Sequence, residues 1–439
     1  MKTVVVAIAA VFAVPVALAD AASFGAGLEN GEIWNMEKSA FFAQHGGVES
    51  FRPLVKSGDS AMCLKRGFAG VAGNDAYEAT VWFEPGRGAT GKVSRVELSL
   101  FNAGDAGSAM NQAELEKMIA SVRAKFSGRD AKWDRPVRLQ KLDTYVTTQN
   151  FRSKACTGEL AWGTSKPQRG NPSAPVNFVR FTAVPPSQAR ANPDRATAKT
   201  RSLREIGAQT VRRANGDVVI EGLPMVDQGE KGYCAVASAE RVMRHYGVNV
   251  DEHELAQLAG STSSGGTDLN SMSEAVARIA SAWRLGKNDV YVFPAARSGR
   301  VKIASECAKA ARRGGMRDAE SKIESSIKDI ASLARTFGVE ALMAARAKQG
   351  ADAKKFLAAI KDCTLKGIPL FWGVELGIFP EPGVPQEGGG HMRLITGFNQ
   401  KTGEILYSDS WGLGHEEKRM RMDRAWTITH SLFFLRPLR

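Results

Sequence analysis

Several signals that would decide the function of this chain outright are missing from it. After residue 18, no charge-free apolar run approaches the roughly 20 residues that a membrane-spanning helix requires, so the mature chain is expected to have no membrane span. There is no arginine-rich arm, no zinc-finger spacing and no RNA-binding aromatic motif; nucleic acid is therefore not an expected partner. Neither H-E-x-x-H nor a paired-histidine spacing occurs. Asp251-Glu252-His253-Glu254 invites a metal without that spacing, so no metal or cofactor is expected. No repeat at solenoid or propeller period is visible. Cysteine is sparse and odd in number, five in all.

What is present begins with an ordinary globular composition, 43% hydrophobic and 24% charged. A chain of 439 residues is too long for one ordinary core, and two domains are expected. The formal net charge of +13 favours anionic neighbours such as acidic lipid or cell-wall polymers, but the basic residues are scattered, as on a solvated face. Lys2 precedes an apolar run from Val4 to Leu18, and Ala17-Leu18-Ala19 offers a small-x-small cleavage site. These are the parts of a secretory signal. Residues 1–19 are expected to be removed and the protein to be secreted or periplasmic; an uncleaved anchor is the alternative. In that oxidising setting an odd cysteine count leaves at least one thiol free. Pairing Cys63 with Cys156 and Cys307 with Cys363 would single out Cys234. Thiols packed as small hydrophobes are the other reading.

The pattern along the chain predicts an α+β protein. In residues 22–182, Tyr77–Phe83 and Lys92–Phe101 alternate as half-buried strands do, and Val137–Phe151 and Val176–Val184 are strand-like. Asn111–Phe126 carries a helical stripe of Leu115, Met118, Ile119, Val122 and Phe126. A helix on an antiparallel sheet is the economical arrangement, and no catalytic motif is visible in this half. The proline- and charge-rich run from Pro185 to Lys199 has linker composition, which places the boundary within 183–204. Residues 205–439 open with a short strand at Val218–Ile220. A helix is expected from Cys234 through Arg244 to a stop at Gly247, and another near Asp268 after the Gly265-Gly266 turn. Residues 301–366 read as almost wholly helical, with their lysines and arginines on the surface. Strands follow at Leu370–Val374, Met392–Phe398, Ile405–Ser408 and Trp426–Leu435. Helices first and strands afterwards predict a helical lobe plus an antiparallel sheet lobe.

Three pieces of this second half carry chemistry. Gln228-Gly-Glu-Lys-Gly-Tyr-Cys234 leads straight into a helix, where the macrodipole favours thiolate and unpaired N–H groups can donate to an oxyanion. Gln228 can add a side-chain amide to the same point. Gly388-Gly389-Gly390-His391 places a histidine at the entry of an apolar strand, fixed as a general base. Tyr407-Ser408-Asp409-Ser410-Trp411-Gly412 ends the next strand, and antiparallel pairing would bring Asp409 beside His391 to orient the imidazole. His415 and His430 are alternative third members, as in a Cys-His-His triad. His245 and His253 read as solvated.

The order Gln228, Cys234, His391, Asp409 resembles that of the papain-like cysteine peptidases, with a Cys-to-His separation close to the roughly 130–150 residues typical there. Asp409-Ser-Trp-Gly412 is similar to the papain-type N-S-W-G segment. Cys234-Ala-Val-Ala-Ser and Arg244-His-Tyr-Gly247 look closer to the bacteriocin-processing (double-glycine) branch, which uses Asp as third member. The resemblance covers about residues 218–439. It implies a papain-like fold, a protein or peptide substrate, Asp409 in place of the orienting Asn, and Trp411 as the indole that shields the pair from water. The N-terminal domain is expected to be an inhibitory pro-region, a substrate-recruiting module or a partner-binding domain, the first giving intramolecular inhibition. A peptidoglycan or small-amide hydrolase on the same scaffold, and a non-catalytic binding protein with a degenerate peptidase fold, are the rival expectations.

Overall fold

The structure, a computed structural model, describes residues 21–85, 90–141, 144–165, 174–188, 201–229, 232–248, 250, 253, 255–256, 269–384 and 388–437. The expected signal, the 189–200 part of the linker and the Gly265–Asp268 turn lie outside the described residues.

The N-terminal half starts with two short helices, α1 (Ala21–Asn30) and α2 (Lys38–His45). Its principal strands are β1 (Ser60–Cys63), β2 (Glu78–Phe83), β3 (Val93–Asn102), β4 (Thr144–Arg152), β5 (Thr157–Ser165) and β6 (Val176–Val184). Together with short flanking strands they form an antiparallel sheet of nine described strands, in the order β1-β2-β3-β6-β5-β4 across its middle. Helix α3 (Gln112–Lys125) begins at a capping box, Asn111 with Glu114, which satisfies two N–H groups the helix leaves unpaired. Its Leu115, Ile119 and Val122 are buried, as the stripe requires. The core they join is aromatic. Phe24 stacks on Phe51 at 5.3 Å, and Phe126 on Phe181 at 5.6 Å. Burying one such ring stabilises by about 1.5–3 kcal/mol.

The second half opens with β7 (Asp217–Ile220), α4 (Cys234–His245) and α5 (Leu269–Ala282). Strand β8 (Leu285–Val292) leads into α6 (Arg297–Arg313), α7 (Ile330–Phe337), α8 (Val339–Ala347) and α9 (Gly350–Leu365). Then come β9 (Leu370–Leu376), β10 (Gly389–Asn399), β11 (Glu404–Ser408), β12 (Lys418–Arg421), α10 (Met422–Ile428) and β13 (Thr429–Pro437). The antiparallel sheet runs β7-β10-β9-β13-β8, with β11 also on β10 and β12 on β11. Alternation sends successive side chains to opposite faces. Phe371, Leu394 and Phe433 pack with α4, while Leu370, Trp372, Ile395 and Leu432 pack with Phe356 and Ile360 of α9. This double cover leaves every residue of β9 buried.

Three expectations need correction. Trp426 does not open the last strand but lies in α10; its indole donates to the Arg346 carbonyl at 2.9 Å, and the strand starts at Thr429. Arg346 is not on the surface with its neighbours. It is fully buried, donating to the Tyr291 hydroxyl at 2.6 Å and to the carbonyls of Trp426 and Thr429 at 2.8 and 3.0 Å. Neither cysteine pairing forms: all five cysteines are buried and none is in a disulfide. Cys307 and Cys363 lie in different apolar clusters, and the Cys63 thiol hydrogen-bonds the Lys65 carbonyl instead. The lack of a disulfide at Cys234 therefore does not distinguish it from the other four.

Candidate active site

Tyr233 stands at the N-cap of α4 and Cys234 is the first helical residue. The thiol thus sits at the positive end of the helix, among N–H groups that have no carbonyl inside the helix to bond. Strand β10 supplies the base. In the β10–β11 register Leu394 faces Ser408. Continuing that antiparallel count by one residue sets Arg393 across from Asp409, and by three sets His391 across from Trp411.

The distances follow that count. His391 Nε2 lies 3.1 Å from Asp409 Oδ1, and Arg393 Nε donates to the same oxygen at 2.8 Å. The Trp411 indole stacks on the His391 ring, 4.2 Å between centroids and 3° from parallel. The Cys234 side chain hydrogen-bonds the His391 ring from the other side. Since Nε2 serves Asp409, the nitrogen facing sulfur is Nδ1. Gln228 is held at both ends of its polar reach. Its N–H donates to the Ser410 carbonyl at 2.9 Å, and its amide oxygen accepts from the Ser410 hydroxyl at 2.6 Å. His391 thus meets both Cys234 and Asp409, and Gln228 is tied to Ser410, the neighbour of Asp409.

Burial and charge act against each other here. Burial opposes the Asp409 charge, but the Arg393 guanidinium and the neighbouring histidines hold its carboxyl well below the usual carboxylate range. Burial also draws His391 down, and the bonds to Asp409 and Cys234 outweigh it, so its pKa is raised. The site is dry: Cys234 and His391 are each 4% exposed, and Asp409 is 0% exposed.

Sequence reasoning missed three supporting residues. Arg241 of α4, almost fully buried, donates to the Pro224 carbonyl, the Asp409 carbonyl and the Ser408 hydroxyl at 2.8, 2.8 and 2.5 Å. Desolvation lowers its pKa to about 10. Arg393 grips both oxygens of Glu381 at 3.1 and 3.0 Å, and the Tyr407 hydroxyl donates to Glu381. The signal for Arg393 was available. Residues two apart on a strand share a face, and an arginine beside a catalytic-type histidine in an apolar strand calls for a carboxylate. Of the alternative third members, His415 approaches Asp409 Oδ2 only to 3.8 Å, and His430 is bonded to Glu375 at 2.8 Å.

Gly412 shows how tightly this corner is built. With φ 71°, it lies where a Cβ would come within 2.5 Å of Asp227 Oδ2. Asp227 is also where the N-terminal sheet arrives, through Arg52 at 3.3 Å. Further contacts ring the segment that leads to Cys234. The Lys56 N–H donates to Glu416 at 2.7 Å, Arg244 meets Glu97 at 3.3 Å, and His253 meets Glu78 at 2.8 Å. Met225 packs with Leu54 and Met62. His253 and His245 are thus buried in contacts, not solvated; His245 bonds the Gly367 carbonyl at 2.8 Å. A cleft of about 590 Å³ opens between the halves, walled by Arg52, Lys65, Glu78, Asp105, Asp227 and Trp411 among others. Among the described residues, Glu78, Asp105 and His253 present possible metal-donor atoms within 4.8 Å of one another.

No protein-family model matches the chain, and no curated protein matches it.

Proposed function

We propose that the chain is an exported cysteine peptidase of papain-like architecture that hydrolyses peptide bonds through a thioester. The observation that carries this reading is His391, which bonds the Cys234 side chain on one side and Asp409 at 3.1 Å on the other, beneath a stacked indole. That is a nucleophile, a base and an orienting carboxylate in a line, with water kept from the base. The thiolate attacks the scissile carbonyl carbon, and the oxyanion is met by the Gln228 amide and the Cys234 N–H. His391 gives its proton to the departing amine, then takes one from the water that cleaves the thioester and restores the thiol. No metal or cofactor enters these steps.

The N-terminal half reads as a separate domain that docks against the approach to the nucleophile and restrains it. The support is positional: its contacts fall on Met225, Asp227, Arg244 and Glu416, the surroundings of Gln228 and Cys234. The test of the main reading is labelling of the purified protein with an epoxide-type cysteine peptidase probe, before and after cutting between the halves. Labelling is expected in wild type, absent in Cys234→Ala and weak in His391→Ala. A wild type that stays unlabelled even when cut and reduced would refute an activated thiolate and favour a binding protein. Digestion of casein and of purified cell wall side by side separates a peptidase from a peptidoglycan hydrolase.

A further inference from the structure

We propose that Arg393 is the positioning residue of this site: it aims the Asp409 carboxylate at His391 and, with Glu381 behind it, keeps that carboxylate ionised out of reach of water. Its catalytic meaning rests on the peptidase reading, but the arrangement can be tested without it.

Asp409 has two ways to turn. Oδ1 is shared by His391 and Arg393, while Oδ2 faces His415 Nδ1 at 3.8 Å. The terminal torsion of an aspartate is soft, so a modest rotation would exchange one histidine for the other. The guanidinium removes that choice. Its Nε lies 2.8 Å from the oxygen that serves His391, and its planar fork is anchored at the far end by both Glu381 oxygens. The Tyr407 ring lies 4.7 Å from the guanidinium carbon, and the Tyr407 hydroxyl fixes Glu381 in turn. Without that cation, burial alone would push the fully buried Asp409 towards its neutral form, and a protonated Asp409 would no longer stabilise an imidazolium.

The groups around His391 are few. Cys234 comes from α4, and Asp409, Trp411 and His415 from the segment after β11. Arg393 lies on its own strand, and Arg241 reaches the Asp409 carbonyl from α4. On the adjacent strand Glu375 is closed on His430. Two opposite effects of removing Arg393 can therefore be told apart. If Arg393 contributed only its charge, losing a nearby cation would raise the His391 pKa. If it aims Asp409, losing it would remove the partner of the imidazolium and lower the His391 pKa.

The experiment is an NMR titration of the His391 ring in the full chain, assigned by comparison with His391→Gln, for wild type, Arg393→Gln, Arg393→Lys and the double variant Arg393→Gln/Glu381→Gln. The His391 pKa is expected to fall by about one unit in Arg393→Gln and in the double variant, a tenfold loss of imidazolium at a given pH, and to be partly restored in Arg393→Lys. An unchanged or raised value would overturn the proposal. The double variant leaves no orphaned carboxylate, so it decides the matter if Arg393→Gln alone fails to fold. Failure of the peptidase reading would appear elsewhere, as a wild type unlabelled by the probe, while the His391 titration still reports on Arg393.

Discussion

At Asp409 two side-chain hydrogen bonds and a backbone contact from Arg241 meet in a place water does not reach. Asp409→Asn should lower turnover on the order of a thousandfold by removing the anion that orients and charges His391. It should also cost about 1–3 kcal/mol in urea denaturation, because Arg393 loses one charged acceptor while Glu381 still holds its other end. The pH behaviour follows from the two shifts. Asp409 is depressed, so its stabilising contribution is present above the ordinary value of 3.8 and is lost only as pH falls well below it. His391 is raised, so its contribution is full below 6.5 and is lost as pH rises through its folded value. The stability difference between wild type and His391→Gln should therefore shrink between pH 6 and pH 9, which urea titrations across that range would show. Ser410→Ala, which releases the Gln228 amide oxygen, should lower kcat about fivefold with KM little changed, the loss of one hydrogen bond of roughly 1 kcal/mol. The four principal residues were legible because each stands in a short glycine- or serine-flanked motif. Arg241 and Arg393 were not, because a buried arginine in an apolar run shows only that it needs a partner; which partner depends on strand register.

At the scale of elements, legibility followed periodicity. The α3 stripe and the β2, β3 and β6 strands fall within a residue or two of the observed bounds; β2 keeps the half-buried alternation, whereas β3 and β6 are buried on both faces over most of their length. The end of helix α10, Trp426–Ile428, was read as strand. Trp426 and Ile428 are apolar at a two-residue spacing, and the cause of the turn into helix lies some eighty residues earlier, at Arg346. Arg346→Ala would leave the Trp426 and Thr429 carbonyls and the Tyr291 hydroxyl without that donor, a loss of about 3 kcal/mol. The expected sign is a lower thermal midpoint together with faster amide exchange across Met422–Thr429.

Over the whole molecule, the decisive relation is between the N-terminal sheet and the run from Met225 to Cys234, and no motif announced it because it is written in single residues far apart. Gly104 is one of them: a Cβ there would come within 2.2 Å of the Tyr233 hydroxyl. Gly104→Val should push the sheet off the residue that precedes the nucleophile. If docking restrains the site, the full-length variant should label with the thiol probe faster than wild type; equal or slower labelling would remove restraint from the account. Glu97 supplies a second handle. Burial raises its pKa, but Arg244, Arg95 and Arg180 lower it more, to about 2. Its contribution is therefore present above about 4.5 and lost as pH falls towards 2. Amide exchange at residues 225–229 should accelerate in that window for wild type, and Glu97→Gln should show the faster exchange already at neutral pH.

Because both halves belong to one chain, the contacts at Asp227, Arg244 and Glu416 form between tethered partners. Their closure is a first-order event with an effective concentration in the millimolar range for a short tether, indifferent to how dilute the protein is. Cutting the chain between the halves changes the kinetic order before it changes any contact. If docking restrains the site, a nicked molecule would stay closed where it is concentrated and open on dilution, and the volume around it would then set how much of the site is free.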